Sequence, residues 1–154
     1  MLSFFWTVLA FLAMEGVAWF THKFVMHGLL WSWHKDHHQP DHKHGWFEKN
    51  DLFFLVFALP SAIFFMVGSI NFSWPFFWWG LGILLYGVAY FVVHDIFIHQ
   101  RFPPLLKYTD TKYFRAIRKG HKVHHKNIYK QNGECFGMLW VPIKYFKEAF
   151  KKKK

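Results

Sequence analysis

Three long apolar stretches constrain the fold of this chain more than any other feature. They cover Leu2–Phe20, Leu52–Ile70 and Pro75–Val93, and the only charged side chain within them is Glu15. A helix of about 20 apolar residues crosses the hydrocarbon core of a bilayer. The sequence is also 53% hydrophobic and 23% aromatic, which is more than a soluble domain of this size can bury. We therefore predict an all-α integral membrane bundle with three or four transmembrane helices.

A fourth, shallow element is possible near residues 136–150. There Leu139, Ile143 and Phe146 can share one face, while the nearby lysines would reach anionic lipid headgroups. The alternative is a simple solvated tail. The short turn Asn71–Ser73 makes the second and third spans an antiparallel hairpin.

The cationic side chains predict the orientation of these spans. All 19 Lys and Arg lie within Lys23–Lys49 or Arg101–Lys154. Short cytoplasmic loops carry an excess of Lys and Arg. Three crossings with the amino terminus outside would place both segments on the cytoplasmic side.

Composition also excludes some classes of protein. The net charge of +10 could suggest nucleic acid binding, but the aromatic side chains needed as stacking platforms lie mostly in the spans. We therefore expect membrane lipid and no nucleic acid as partner. Cys135 is the only cysteine, so a disulfide framework or a zinc ribbon is excluded.

The histidines form a repeated pattern. A pair five residues apart and then a trio at i, i+3 and i+4 occur once in each half of the chain. On a helix each trio stays on one narrow face and can converge on a common centre. Each pair turns by about 140° in an ideal α-helix, so either the helix frays there or each residue serves a different ion. The ten positions are His22, His27, His34, His37, His38, His94, His99, His121, His124 and His125.

Ten imidazoles predict a site for two metal ions. A structural zinc ion needs four ligands and a catalytic one three, so ten are too many for one ion. Ligand softness alone leaves zinc, copper, nickel and iron open. Neither half could complete the site alone, so we expect residues 1–154 to form a single domain whose histidine-rich metal-binding cap is cytoplasmic.

Other polar residues are weaker candidates. Glu15 is an ionisable group within a span and hydrogen-bonds either a histidine ring or a neighbouring helix. Asp36 and Asp95 each adjoin a histidine and are possible acceptors for its ring. His42 and His44 lie outside the repeat and are interpreted as solvated loop residues.

The four boxes HKFVMH, HKDHH, HDIFIH and HKVHH resemble those of the bacterial β-carotene hydroxylases. These enzymes belong to the wider fatty acid hydroxylase superfamily of membrane non-haem di-iron enzymes. The resemblance runs from about Glu15 to Pro142, and all ten histidine positions agree with the family pattern. It is specific, because related acyl hydroxylases and desaturases usually carry three boxes with a shorter first spacing.

The resemblance implies an O₂-dependent monooxygenase of carotenoid biosynthesis. It would hydroxylate C3 of each β-ionone ring of β-carotene, giving β-cryptoxanthin and then zeaxanthin. It implies that the ten histidines bind two iron ions, which zinc can replace in a purified sample, and that ferredoxin or a similar donor supplies electrons. It also implies a multi-pass protein of the bacterial cytoplasmic membrane.

Two other functions remain open at this point. The first is hydroxylation or desaturation of fatty acyl lipids, which could use the same metal site. The second is a histidine-rich membrane protein that binds or transports metal. That function favours ligands within the bilayer, whereas the repeats lie at and beyond the ends of the spans.

Overall fold

A computed structural model describes residues 1–39, 47–71, 75–102, 105 and 110–150. The described residues form helices and connecting loops, with no strand among them. The α-helices are α1 (Leu2–Phe20), α2 (Trp31–His38), α3 (Leu55–Asn71), α4 (Phe76–Phe91), α5 (Lys112–Lys126) and α6 (Ile143–Phe150). A 3₁₀-helix, Lys49–Phe54, precedes α3. The prediction of an all-α fold is confirmed.

The three predicted spans are present as helices. With their extensions, the continuous helices that are long and apolar enough to cross a membrane cover Leu2–Leu29, Lys49–Ile70 and Phe76–Ile98. The bounds of α1 coincide with the first predicted span. The third helix begins directly after Pro75, whose carbonyl accepts the N–H groups of Trp78 and Trp79. Proline suits that position because its missing N–H would have no partner within the helix.

Two of these helices end in π-helical segments, Thr21–Leu29 after α1 and Val92–Ile98 after α4. In the second segment the N–H of His99 donates to the carbonyl of His94 at 2.9 Å. An i→i+5 hydrogen bond of this kind returns residue i+5 to a position above residue i. One of our two expectations was that the helix frays at the histidine pairs, and this expectation is wrong. The helix widens, so that residues five apart come to lie side by side.

The chain divides into two compact units, and each combines two separated stretches. Unit 1 comprises Met1–Val17 and Trp33–Ala89, and unit 2 comprises Ala18–Ser32 and Tyr90–Lys154. The amino-terminal part of α1, together with α3 and α4, lies in unit 1. The π-helical segments, α5 and α6 lie in unit 2.

Within unit 1, α3 and α4 run antiparallel, as expected of a hairpin. Phe65 meets Phe77 with ring centroids 5.1 Å apart, and the Ser61 hydroxyl donates to the Gly80 carbonyl at 2.9 Å. The contacting residue on α3 therefore has a lower number where the contacting residue on α4 has a higher one. The turn predicted at Asn71–Ser73 lies mostly outside the described residues.

Within unit 2, α5 packs against α6 and the loop between them. The core contains Val93, Ala116, Ile117, Cys135, Met138, Val141 and Tyr145. The Thr111 hydroxyl accepts the N–H of Phe114 and so caps the start of α5. Within residues 136–150, where a fourth, shallow element was predicted, Ile143–Phe150 form the helix α6.

The prediction that Leu139, Ile143 and Phe146 share one face is wrong for Ile143. Leu139 and Phe146 pack against the core, but Ile143 is 69% exposed. The α6 helix begins only at Ile143, so the helical spacing from Leu139 does not apply. Tyr145 occupies the buried face instead and is 3% exposed.

Glu15 is bonded to a neighbouring helix in unit 1. The Tyr86 hydroxyl donates to Glu15 Oε2 at 2.5 Å, and Tyr86 is completely buried. Of the two partners considered for Glu15, a histidine ring and a neighbouring helix, this contact favours the neighbouring helix. The hydrogen bond joins α1 to α4 among apolar side chains.

We expect Tyr86→Phe to destabilise the protein by about 0.5–2 kcal/mol, the range measured for hydrogen bonds between membrane helices. The phenyl ring keeps the packing, and only the donor to Glu15 is lost. Thermal unfolding of the purified protein in detergent measures the effect. Tyr129→Phe is the control, because Tyr129 is 70% exposed. Equal stability of the two variants would contradict a stabilising Glu15–Tyr86 bond.

Candidate metal centre

The structure places seven of the ten predicted histidines in unit 2 and three in unit 1. Six of these seven lie in the two π-helical segments and α5, and His99 directly follows the second π-helical segment. All seven lie in close ring contact with more than one other histidine of that unit. His42 and His44 lie outside the described residues.

The first group in unit 2 contains His22, His27 and His124. Their ring centroids are 4.4 to 5.1 Å apart, and one potential ligand atom from each lies within 4.8 Å of the others. The π-helical turn brings the first two together, and α5 supplies the third. All three side chains are buried.

The second group in unit 2 contains His99, His121 and His125, whose ligand atoms also lie within 4.8 Å of one another. His99 Nε2 is 2.8 Å from His121 Nε2. The ring of His94 packs against His99 with a centroid distance of 4.5 Å. Among the described residues, however, the ligand atoms of His94 are not part of this group.

The trio on α5 divides between the two groups. His124 joins His22 and His27, whereas His121 and His125 join His99. Consecutive residues of an α-helix point about 100° apart, so His124 and His125 cannot aim at one point. The expectation that a trio converges on a single centre therefore does not hold for α5, and unit 2 contains two neighbouring groups instead.

Backbone carbonyls orient the rings of the first group. The Nδ1 atoms of His22 and His27 lie 2.9 Å from the carbonyl oxygens of Phe136 and Ile128. His124 Nδ1 lies 3.1 Å from the carbonyl oxygen of Glu134. A carbonyl oxygen can only accept, so each Nδ1 carries the proton and each Nε2 presents a lone pair. This is the usual arrangement of histidines that bind a metal through Nε2.

The donor set fits a metal ion. With the tautomers fixed as above, the Nε2 lone pairs of His27 and His124 face each other across 3.1 Å. Two lone pairs this close repel each other unless a cation lies between them. Two imidazole nitrogens that each bind the same ion at about 2.1 Å can be at most about 4.2 Å apart, and the observed 3.1 Å lies within that limit.

Two imidazoles of the second group, those of His121 and His125, are held neutral by burial. Burial lowers the pKa of His121 well below its usual range, and the nearby His94 and His99 lower it further. Burial likewise lowers the pKa of His125 to about 4. A ligand must be unprotonated to bind a metal, so both rings are available as ligands near neutral pH.

Unit 1 contains the trio on α2. His34 Nε2 is 3.1 Å from His38 Nε2, and their rings are 4.7 Å apart. His34 Nδ1 donates to Asn50 Oδ1 at 2.6 Å, and His37 Nδ1 lies 3.0 Å from Glu48 Oε2. The 3₁₀-helix and the residue before it therefore orient two rings of this trio.

The two aspartates beside histidines differ in their contacts. Asp95 Oδ2 lies 3.3 Å from His94 Nδ1, and its other oxygen accepts from Arg101. Asp36 instead accepts the backbone N–H of Lys49 at 2.6 Å. Asp95 thus contacts its histidine as considered from the sequence, whereas the contact shown for Asp36 is with the start of the 3₁₀-helix.

Glu48, Asn50 and the three carbonyl acceptors were not predicted from the sequence. Glu48 and Asn50 stand out only as polar residues just before an apolar span, which is a weak signal. The carbonyls leave no trace in side-chain chemistry, because any residue can supply one.

These features define a helical protein with three potential membrane spans and clustered histidines suited to a metal. The family model described as "Fatty acid hydroxylase" matches residues 7–143. The chain belongs to the fatty acid hydroxylase family. Membership identifies it as an enzyme of the hydroxylase type.

Three named relatives illustrate the similarity. A β-carotene hydroxylase of Paracoccus sp. (strain PC1) is 40% identical over 145 residues, which are 92% of this chain and 86% of the relative. One of Pantoea ananas is 40% identical over 132 residues, or 85% and 73% of the two chains. The chloroplastic β-carotene 3-hydroxylase 1 of Arabidopsis thaliana is 36% identical over 145 residues, or 91% and 44%. No solved structure matches the chain.

Proposed function

We propose that this protein is a β-carotene 3-hydroxylase, which uses O₂ to hydroxylate C3 of the β-ionone rings. The similarity to β-carotene hydroxylases across 92% of the chain is the observation that carries the proposal. The four histidine boxes, which lie within the matched region, support it. The products would be β-cryptoxanthin after one ring and zeaxanthin after both.

Two iron ions are the proposed cofactor, and the ten repeated histidines are the proposed ligands. Bound iron would supply the reduction of O₂ and the removal of hydrogen from a ring carbon. One oxygen atom would enter the product, and electrons and protons would convert the other to water. In unit 2, the tautomers set by the Ile128, Glu134 and Phe136 carbonyls support this assignment, because they direct Nε2 lone pairs toward one another. In unit 1, the contacts to Asn50 and Glu48 support it in the same way.

The chain would act as one domain in the bacterial cytoplasmic membrane, with its metal centre on the cytoplasmic side. Neither unit is a continuous stretch of sequence, which supports a single domain. All cationic residues lie in Lys23–Lys49 or Arg101–Lys154, and the rule that cytoplasmic loops are positive supports the orientation.

Electrons would come from ferredoxin or a similar acidic donor. The α5 helix supports this part of the proposal, because its buried face carries His121 and His124 while Lys122 and Lys126 are exposed. Positive side chains attract an acidic protein and raise its rate of association. The donor could therefore bind close to the histidines without entering the membrane.

Expression in a bacterium that accumulates β-carotene tests the proposed reaction. Pigment chromatography should show β-cryptoxanthin and zeaxanthin at the expense of β-carotene. The control is the same host with an empty vector. Unchanged pigment despite iron-loaded protein in the membrane would refute the carotenoid assignment, and hydroxylated or desaturated acyl chains in that strain would favour a lipid substrate.

A further inference from the structure

The loop between α5 and α6 contains two of the carbonyls that orient histidines of the first group. His124 donates to the Glu134 carbonyl, and His22 donates to the Phe136 carbonyl. Cys135 lies between these residues with a φ of 60°. Residues other than glycine rarely adopt this left-handed conformation, and it persists where surrounding contacts hold it. The positions of both carbonyls therefore depend on what holds this part of the loop.

The side chain of Glu134 connects the loop to α6. The Tyr145 hydroxyl donates to Glu134 Oε1 at 2.6 Å, and Lys144 Nζ lies 2.5 Å from Glu134 Oε2. Tyr145 is 3% exposed and belongs to the core cluster that includes Ala116 and Ile117 of α5. Lys144 is largely exposed, and ion pairs of exposed lysines contribute little. Tyr145 is thus the anchored partner of Glu134.

We propose that Tyr145 is a positioning residue for the metal centre: by holding Glu134, it fixes the two carbonyls that orient the rings of His124 and His22. The proposal rests on the ligand roles assigned under the proposed function. Tyr145 does not touch the metal or the substrate. It acts through its contacts with the side chains of Glu134 and Cys135 and through the backbone of the loop.

Metal binding by full-length Tyr145→Phe protein tests this role. Metal-free protein in lipid nanodiscs is titrated with Co²⁺, whose visible absorption depends on the geometry of its ligands. Loss of a residue that orients ligands weakens metal binding by about 10- to 100-fold, and we expect about 10-fold because Tyr145 acts through Glu134. We also expect a changed Co²⁺ spectrum. Tyr113→Phe is the matched control, since its hydroxyl also donates to the loop, at the Leu139 carbonyl, away from both histidine acceptors.

Substitutions of Glu134 provide a second, independent measurement. In Glu134→Gln the amide oxygen can still accept from Tyr145, so we expect metal affinity near that of the wild type. In Glu134→Ala the carboxylate acceptor is lost, and we expect most of the loss seen in Tyr145→Phe, because the hydroxyl keeps only its contact with the Cys135 side chain. The double variant Tyr145→Phe/Glu134→Ala should bind metal no more weakly than Tyr145→Phe alone, because Tyr145→Phe already removes the hydrogen bond to Glu134. Circular dichroism checks the helix content of each variant. If Tyr145→Phe does not fold, the comparison of Glu134→Gln with Glu134→Ala tests the proposal.

The outcomes separate this proposal from the proposed function. If the wild type binds Co²⁺ and Tyr145→Phe matches it in affinity and spectrum, the positioning role is refuted and the proposed function is unaffected. Equal affinity of Glu134→Gln and Glu134→Ala would refute the role in the same way. If the variants differ as expected but the iron-loaded wild type forms no carotenoid product, the proposed function fails and the positioning role stands.

Discussion

His124→Ala is expected to lower carotenoid product by more than about 100-fold, because even residues that only orient a ligand alter activity by about 10- to 100-fold. His124 is fully buried, and its Nε2 lies 3.1 Å from His27 Nε2. Removal of the ring takes a proposed ligand from the first group of unit 2. It also removes the donor to the Glu134 carbonyl, which costs about 1–3 kcal/mol in a buried site.

Pigment chromatography and elemental analysis measure the result together. We expect two iron ions for each wild-type chain and a clear loss of bound iron in the variant. Lys122→Ala is the control, since Lys122 is exposed on the same helix and no proposed ligand depends on it. Full activity and unchanged iron content in His124→Ala would remove His124 from the proposed ligands, provided that both variants insert into the membrane to the same extent.

Hydropathy predicted the spans well because a membrane helix must carry apolar side chains over its whole length. The bounds of α1 agree at both ends with the predicted Leu2–Phe20. The first and third helices both continue beyond the predicted ends of their spans as π-helical segments, the first from Phe20 to Leu29 and the third from Val93 to Ile98. The second of these segments carries His94 and Asp95, whose polarity ended the apolar pattern before the helix itself ended.

The local geometry at the histidine pairs could not be predicted from α-helical spacing. An interval of five residues points about 140° away in an α-helix, yet the rings of His22 and His27 are 5.1 Å apart. The i→i+5 hydrogen bonding of a π-helix reconciles the two. The same interval at the end of two spans is the only sequence signal of this geometry, and π-helices are rare and often lie at functional sites.

The carbonyl groups that accept from the histidine rings could not be predicted from the sequence for a different reason. His27 and the Ile128 carbonyl are separated by 101 positions, and His22 and the Phe136 carbonyl by 114. Contacts of such range depend on the tertiary fold, and a carbonyl acceptor is common to every residue. The sequence therefore predicted histidines whose ligand atoms the structure brings close together within unit 2, but not how the backbone selects their tautomers.

Gly82→Ala is expected to destabilise unit 1 by about 1–3 kcal/mol, the usual cost of overpacking. A Cβ at Gly82 would lie 2.3 Å from the carbonyl oxygen of Thr7 and 2.7 Å from Ala10 Cβ, both on α1. Small residues allow membrane helices to approach closely. The Thr7 backbone cannot move aside as a flexible side chain could, so α1 and α4 would have to separate.

Gly16→Ala is the matched control for this prediction, because it adds the same methyl group to a helix of the same unit. No atom lies within 4 Å of a Cβ at Gly16, so we expect unchanged stability or a gain of up to about 1 kcal/mol from helix propensity. Thermal unfolding in detergent should place Gly82→Ala at least about 3 °C below the wild type and Gly16→Ala at or above it. Equal unfolding temperatures for the two variants would mean that α1 and α4 do not approach as closely as described. A fall for Gly82→Ala alone would show that the missing side chain at this position is what lets the first and third spans meet.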